Sequence, residues 1–323
     1  MRDNVWDEVY TPVDRQMIAQ YLDVEQKNTS PADVLKDPRV LTEVEVLLAS
    51  WGAPRLDDQL LERAPRLKAV FYAAGSVRPL VSEAFLAKNI VLVSARDIIA
   101  DRVASFTHAL VHLSLKGVWH YASQAKRQMT WPEQVPTPGT IGSTVGVLSL
   151  GAAGRAVVER LSGERFSLLA YDPYADASFV REHGISLVDL VELFSRSHVV
   201  TLHAPLLAAT KAMVGRDLIN RMQPGATLIN TARGGLIDET ALVDVLRERT
   251  DLFAFLDVTD PEPPAMGSPL FTLPNIVMTP HIAGNVGRER RALGSAIAEE
   301  VRRWRLGQFL RLAVDTSLLA ISA

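Results

Sequence analysis

The sequence predicts an α/β protein built on parallel sheets, and three observations predict it. Short apolar runs alternate with helical patterns along most of the 323 residues. The runs form two groups separated by a stretch rich in helix breakers, and polar residues able to do chemistry follow the runs of the second group. A chain this long exceeds the size at which one core usually stops growing, so two domains are expected.

In the first group, VEVLLAS from Val44, LKAVFYAA from Leu67 and IVLVSA from Ile90 read as parallel strands with crossover helices. An amphipathic pattern from about Ile99 to Lys126 then predicts one long helix. WPEQVPTPG, from Trp131 to Gly139, holds four closely placed breakers and is expected to be irregular and exposed. The second group begins at Thr144 with TVGVLSL and continues through RFSLLAYD, SHVVTLHAP, GATLINTA, LFAFLDV and NIVMTPH. Six runs with helices between most of them describe a doubly wound parallel sheet. A last helix, roughly Val286 to Leu306, follows the completed sheet and is free to return to the first domain.

Composition narrows the function classes. With 48% hydrophobic and 22% charged residues the chain is ordinarily globular, and its net charge of -3 offers no general attraction to nucleic acid or an anionic membrane. The basic run in VRRWRLGQFLR reads as a solvated helix face. The absence of cysteine excludes disulfides and cysteine metal sites and fits a reducing compartment. MRDNVWDEVYTPVDRQ lacks the basic start and apolar stretch of a signal peptide, and ASFTHALVHLSL falls short of the roughly 20 apolar residues of a membrane span. The cytoplasm is the expected location.

VGVLSLGAAG, from Val145, sets a strand ahead of Ser149, Gly151, Ala152, Ala153 and Gly154, with a helical pattern after them. Such a turn brings a pyrophosphate to the N–H groups of a helix N-terminus. The following strand ends in Asp172, about 20 residues beyond the glycines, where a carboxylate can bond ribose hydroxyls and repel a 2′-phosphate. NAD is therefore expected over NADP, with capping of the DPY turn as the plainer role for Asp172. Three later runs end in polar constellations: NTARGGLIDE from Asn230, LDVTDPEPP from Leu256 and TPHIAGN from Thr279. Because strand C-terminal ends line the crevice of a doubly wound sheet, Arg233, Asp257, Glu262 and His281 can converge there. A guanidinium clamps a carboxylate with two hydrogen bonds, and a histidine beside a carboxylate is a tunable acid or base. That set suits hydride transfer to a keto acid.

Together with LHAPLLAAT from Leu202, WGAP at Trp51 and YAAGS at Tyr72, these motifs resemble the D-isomer-specific 2-hydroxyacid dehydrogenase family. The resemblance implies a Rossmann-type NAD domain, residues 101–286, and a smaller flavodoxin-like α/β substrate domain formed by both chain ends, residues 1–100 and 287–323. It implies that Arg233 binds the substrate carboxylate, that His281 is the acid-base and that Glu262 is its partner. Asp257 is similar to the family's nicotinamide carboxamide ligand, and Ala74, Gly75 and Ser76 to the loop whose backbone meets the carboxylate. His203, Pro205, Thr210, Thr231, Ala232 and Gly284 are expected around the cofactor. A homodimer is expected through the long helix, with Trp119 and Tyr121 as apolar contact area.

The chain departs from the family pattern where Ser149 replaces a glycine, where Ser105 stands in place of a glutamate, and at the start, where few and mostly polar residues precede Val9 in place of an apolar strand. The start is then expected to lack an edge strand or to lie further upstream. Arg78 is a possible contact for a substrate phosphate or second carboxylate, against a plain surface arginine. His108 and His112 share a helix face, but Ala109 stands where a metalloprotease HExxH has glutamate, so no metal is expected. The other reading of the same motifs is an NAD(H)-sensing binding protein of the corepressor type. The enzyme is preferred because no long extension for assembling partners follows the last helix.

Overall fold

The computed structural model describes residues 5–24 and 31–320. The chain divides into two compact units, Met1–Ile99 with Asn285–Ala323, and Ala100–Gly284.

The first unit holds a parallel sheet of β1 (Val46–Ala49), β2 (Ala69–Tyr72) and β3 (Val91–Ser94), in that order. All four residues of β2 are buried, which explains why its run shows no polar alternation. The C-terminal segment returns to this sheet: Val93 bridges Ala313 in antiparallel sense, and the Ser94 N–H donates to the Leu312 carbonyl at 3.0 Å. Helix Arg290–Arg305 packs against helix Pro12–Ala19. Gly294 permits the close approach beside it, since a Cβ there would lie 2.1 Å from the Val9 carbonyl oxygen. The basic run at the end of this helix is neutralised locally, Arg302 and Arg303 both pairing with Glu299. Where an opening strand would lie, Val5–Val9 is instead a short helix, and among the described residues the sheet starts at β1. Residues 1–4 of that opening segment lie outside the described residues.

The second unit holds seven parallel strands: β4 (Thr144–Leu148), β5 (Ser167–Tyr171), β6 (Ser186–Leu187), β7 (Val199–Leu202), β8 (Thr227–Asn230), β9 (Phe253–Leu256) and β10 (Ile276–Met278). Their order is β10-β9-β8-β7-β4-β5-β6, so the direction of winding reverses at β4. The expected doubly wound sheet is borne out with one strand more than the six runs. β6 escaped because it is two residues long and exposed at both, leaving no apolar run to read. Both faces of the sheet are covered: Leu148, Val200 and Leu202 join one core, and Val145, Val147 and Val199 the other.

The single helix expected over Ile99–Lys126 is two, Arg96–Leu115 and Val118–Gln128. Gly117 divides them with φ +68°, a left-handed conformation that a side chain disfavours. The break turns Trp119 inward, its Nε1 donating to Ser114 Oγ at 2.9 Å and its ring 5.5 Å from that of Phe255. This ring therefore packs within its own unit. Trp131–Gly139 has no regular structure and is largely exposed, as its breakers predict. Among the described residues no helix is long and apolar enough to cross a membrane.

Candidate active site

In the second unit the loops after β4, β5, β7, β8, β9 and β10 all leave the same edge of a parallel sheet. The loop after β4 is the phosphate-type turn. Ser149 takes φ +78°, the conformation a glycine would adopt at no cost. Three contacts hold it there: its N–H donates to the Tyr171 carbonyl at 2.8 Å, its Oγ donates to Asp172 Oδ2 at 3.2 Å, and the neighbouring Leu150 N–H donates to the same oxygen at 2.6 Å. Its carbonyl sits against Gly154, where a Cβ would come within 1.9 Å of the oxygen. Gly154 is thus required by close packing of helix Ala152–Leu161 on the turn. Gly151 serves differently: no side chain caps the helix there, and a Cβ would meet only Ser149 Oγ, at 4.0 Å. Open space in front of an uncapped helix N-terminus, beside Ala152 and Ala153, suits an anion.

Asp172 fills the plainer role considered for it and keeps room for the other. Oδ2 accepts from Leu150 and Ser149, while Oδ1 accepts from the Tyr174 N–H at 2.7 Å and so caps the DPY turn. One lone pair of Oδ1 is left for a ribose hydroxyl, out of the roughly four acceptor sites a free carboxylate would offer.

His203, just after β7, is buried beneath this turn. Its Nε2 shares a hydrogen bond with Thr201 Oγ1 at 2.9 Å, but its Nδ1 has no partner. Burial pulls its pKa down to about 3, so the ring is neutral. Thr210 works on its own loop, its hydroxyl donating to the Pro205 carbonyl at 2.6 Å and accepting from the Leu207 N–H at 2.8 Å. Thr231 is buried after β8 with its hydroxyl 3.2 Å from that of Thr107, and Ala232 is half-buried beside it.

Arg233 is placed by Asn230, which the sequence reading passed over as an anchor. Asn230 is fully buried at the end of β8; its amide donates to the Arg233 carbonyl at 2.8 Å and its Oδ1 accepts from the Ala232 N–H at 3.0 Å. A buried amide ending an apolar strand was the available signal. Gly234 follows because a Cβ would stand 2.0 Å from the Thr259 carbonyl carbon. The Arg233 side chain reaches solvent while ringed by protein; that burial lowers its pKa, and the nearby Glu262 carboxylate raises it.

His281 and Glu262 meet directly, Nδ1 lying 2.7 Å from Oε1. Both side chains are nearly half exposed, at 47% and 44%, so this pair is open to a ligand. His281 also has positive φ, +55°. Asp257, at the end of β9 and 1% exposed, holds that conformation: Oδ1 accepts from Thr279 Oγ1 at 2.5 Å and from the Ile282 N–H at 2.8 Å, and Oδ2 from the Ala283 N–H at 2.8 Å. Its first task is to shape the Thr279–Ala283 loop, and one lone pair remains for a carboxamide. Gly284 closes this unit, half-buried.

The remaining expected substrate residues belong to the first unit. Ala74, Gly75 and Ser76 follow β2, with the Ala74 and Gly75 carbonyls accepting from Ser94 Oγ at 3.0 and 2.7 Å. Arg78 donates to the Leu319 carbonyl.

The open cradle at Gly151, the uncapped helix, the spare lone pair of Asp172 and the unpartnered Nδ1 of His203 fit a dinucleotide, and together with the parallel sheet they define a dinucleotide-binding α/β protein. Residues 109–283 match the D-isomer specific 2-hydroxyacid dehydrogenase, NAD binding domain, and the chain belongs to that family. It is 32% identical over 276 residues to a D-3-phosphoglycerate dehydrogenase of Methanocaldococcus jannaschii, covering 85% of this chain and 52% of that one. The chain thus spans about half the length of the phosphoglycerate dehydrogenases it matches. A glyoxylate reductase of Korarchaeum cryptofilum is 31% identical over 266 residues, covering 81% of this chain and 80% of that protein. Among solved structures, the TT0316 protein of Thermus thermophilus superposes with a TM-score of 0.75 at 27% identity, covering 95% of this chain and 97% of that one. The enzyme names of the first two give the corepressor-type reading no support.

Proposed function

We propose that the chain is an NAD-dependent oxidoreductase interconverting a small 2-keto acid and its D-2-hydroxy acid. The observation that carries this reading is the His281–Glu262 hydrogen bond, open to solvent, with Arg233 close enough to feel the same carboxylate. In reduction, Arg233 holds the substrate carboxylate through paired charge-assisted hydrogen bonds. Glu262 occupies His281 Nδ1 and so leaves Nε2 to face the substrate. Bound NADH supplies the hydride for the carbonyl carbon. Nε2–H gives its proton to the carbonyl oxygen as negative charge develops there, and in oxidation neutral Nε2 takes the proton back from the hydroxyl. The names of the relatives, D-3-phosphoglycerate dehydrogenase and glyoxylate reductase, favour acids of two or three carbons. Ala74, Gly75 and Ser76 remain carboxylate-binding candidates by resemblance.

The test is NADH oxidation with pyruvate, glyoxylate, hydroxypyruvate and phosphohydroxypyruvate. Turnover of at least one is expected, with His281→Ala slower by roughly 10² to 10⁴ and Arg233→Ala impaired mainly in kcat/KM. Failure of all four, or near-normal turnover by His281→Ala, would overturn the reading. A homodimer in the cytoplasm goes with it; a concentration-independent monomer mass by sedimentation would remove the dimer.

A further inference from the structure

Away from the residues assigned to the reaction, three side chains with metal-binding chemistry meet on the second unit. His108 and His112 lie one turn apart on helix Arg96–Leu115, with ring centroids 4.7 Å apart. Glu164, in the turn after helix Ala152–Leu161, brings its carboxylate to both: Oε1 is 2.5 Å from His108 Nε2, and Oε2 is 2.8 Å from His112 Nε2. All the potential ligand atoms lie within 4.8 Å of one another, and among the described residues this is the one such group of three or more.

The geometry suits a shared ion. Residues four apart on a helix project from one face, so both imidazoles reach a common point. Tetrahedral bonds of about 2.0 to 2.1 Å separate donor atoms by roughly 3.4 Å, about 0.6 to 0.9 Å more than the present Glu164 contacts of 2.8 and 2.5 Å. The three side chains are about one-third exposed, at 34%, 35% and 28%, so they have room to open by that amount and water can reach them. The His112 ring is braced by the edge-to-face contact with Phe166 at 5.7 Å.

We propose that His108, His112 and Glu164 form a binding site for a divalent transition-metal ion. Two imidazoles and one carboxylate suit Zn²⁺, Co²⁺, Ni²⁺ or Cu²⁺ rather than Mg²⁺ or Ca²⁺, which prefer all-oxygen shells. An ion there would tie helix Arg96–Leu115 to the Glu164 turn and leave the Arg233, Glu262 and His281 group untouched. The HExxH comparison missed it because the third ligand lies 52 residues beyond His112 in the chain.

The experiment is a Co²⁺ titration of the full chain after chelator treatment, at about pH 7.5, where an ordinary imidazole is mostly neutral. Visible d–d absorption reports coordination, and Zn²⁺ competition reports relative affinity. One equivalent should bind, Zn²⁺ should displace it, and the thermal midpoint should rise. His108→Ala and His112→Ala should each weaken binding by more than about tenfold, as should Glu164→Gln, with His281→Ala unaffected. His112→Gln, checked by circular dichroism, covers the case in which an alanine variant fails to fold. Absence of saturable binding, survival of binding in the folded histidine variants, or its loss in His281→Ala would each overturn the proposal.

Discussion

Replacing Ser149 by glycine and, separately, by alanine splits the turn's backbone conformation from its hydroxyl. At φ +78° an L-residue bears a cost of about 1 to 2 kcal/mol that glycine escapes. Glycine gives back about 0.4 to 1 kcal/mol through the greater freedom of its unfolded chain. The Ser149 Oγ bond to Asp172 is long, at 3.2 Å, and only partly buried, so its net worth belongs at the low end, about 0.5 to 1 kcal/mol. Ser149→Ala loses the hydroxyl and keeps the strain, so it should be destabilised by that amount. Ser149→Gly loses the hydroxyl but sheds the strain and should come out near neutral, roughly 0.5 to 1 kcal/mol above the alanine variant.

Urea unfolding of the three proteins measures these differences, and NADH fluorescence titration supplies the functional arm. Because the Tyr171 carbonyl and Gly154 fix the turn independently of the Ser149 side chain, NADH affinity should change little in the glycine variant. An alanine variant as stable as the glycine one would show that the left-handed backbone costs no more than the roughly 0.4 to 1 kcal/mol that glycine gives back, which would refute the larger strain. A tenfold gain in NADH affinity on Ser149→Gly would show that serine holds the turn away from its binding geometry.

Three further outcomes follow from the site. His203 is neutral when folded, with a pKa of about 3 against about 6.5 unfolded, so its contribution is unimpaired above about pH 6.5 and is lost as pH falls towards 3. At pH 5 the loss is about 2 kcal/mol, and His203→Gln should flatten that part of a urea-stability profile; an unchanged slope would refute the assignment. Gly234→Ala drives a Cβ into the Thr259 backbone and should cost about 3 kcal/mol or more together with most of the activity, whereas a variant of normal stability and rate would contradict the packing. Glu262→Gln removes the carboxylate charge beside His281 Nδ1 and should lower kcat in both directions, followed by NADH absorbance; an unchanged kcat in both would exclude Glu262 as the partner of His281.

The sequence carried the sheet well because six of the seven strands of the second unit are apolar runs bounded by turn residues. It failed where the determinant is not local. One long helix was read across Gly117 because the apolar period resumes at once, and only the left-handed φ shows the break. The substitution of serine for glycine was visible at Ser149, but its retention of a glycine conformation depends on Tyr171 and Gly154, 22 and 5 residues away. The proximity of His281 and Glu262 was readable because strand ends in a parallel sheet share an edge, so motifs distant in sequence can be placed together by topology alone. The His108, His112 and Glu164 cluster had no such guide, since it joins a helix face to a turn between elements.

For Asp257 the role inferred by resemblance and the role shown by its contacts make different forecasts. Its two oxygens accept three hydrogen bonds from Thr279, Ile282 and Ala283 and fix the left-handed backbone of His281 between them. In Asp257→Asn one oxygen becomes an NH₂ donor. Whichever way the amide turns, it faces a peptide N–H that had been bonded, and a buried unsatisfied donor costs about 1 to 3 kcal/mol. The loop should loosen, hydrogen exchange at Ile282 and Ala283 should accelerate in the cofactor-free protein, and kcat should fall as His281 leaves its position against Glu262. A residue serving only as a carboxamide ligand would leave that exchange unchanged and lower NADH affinity alone, and this result would remove Asp257 from the positioning of His281.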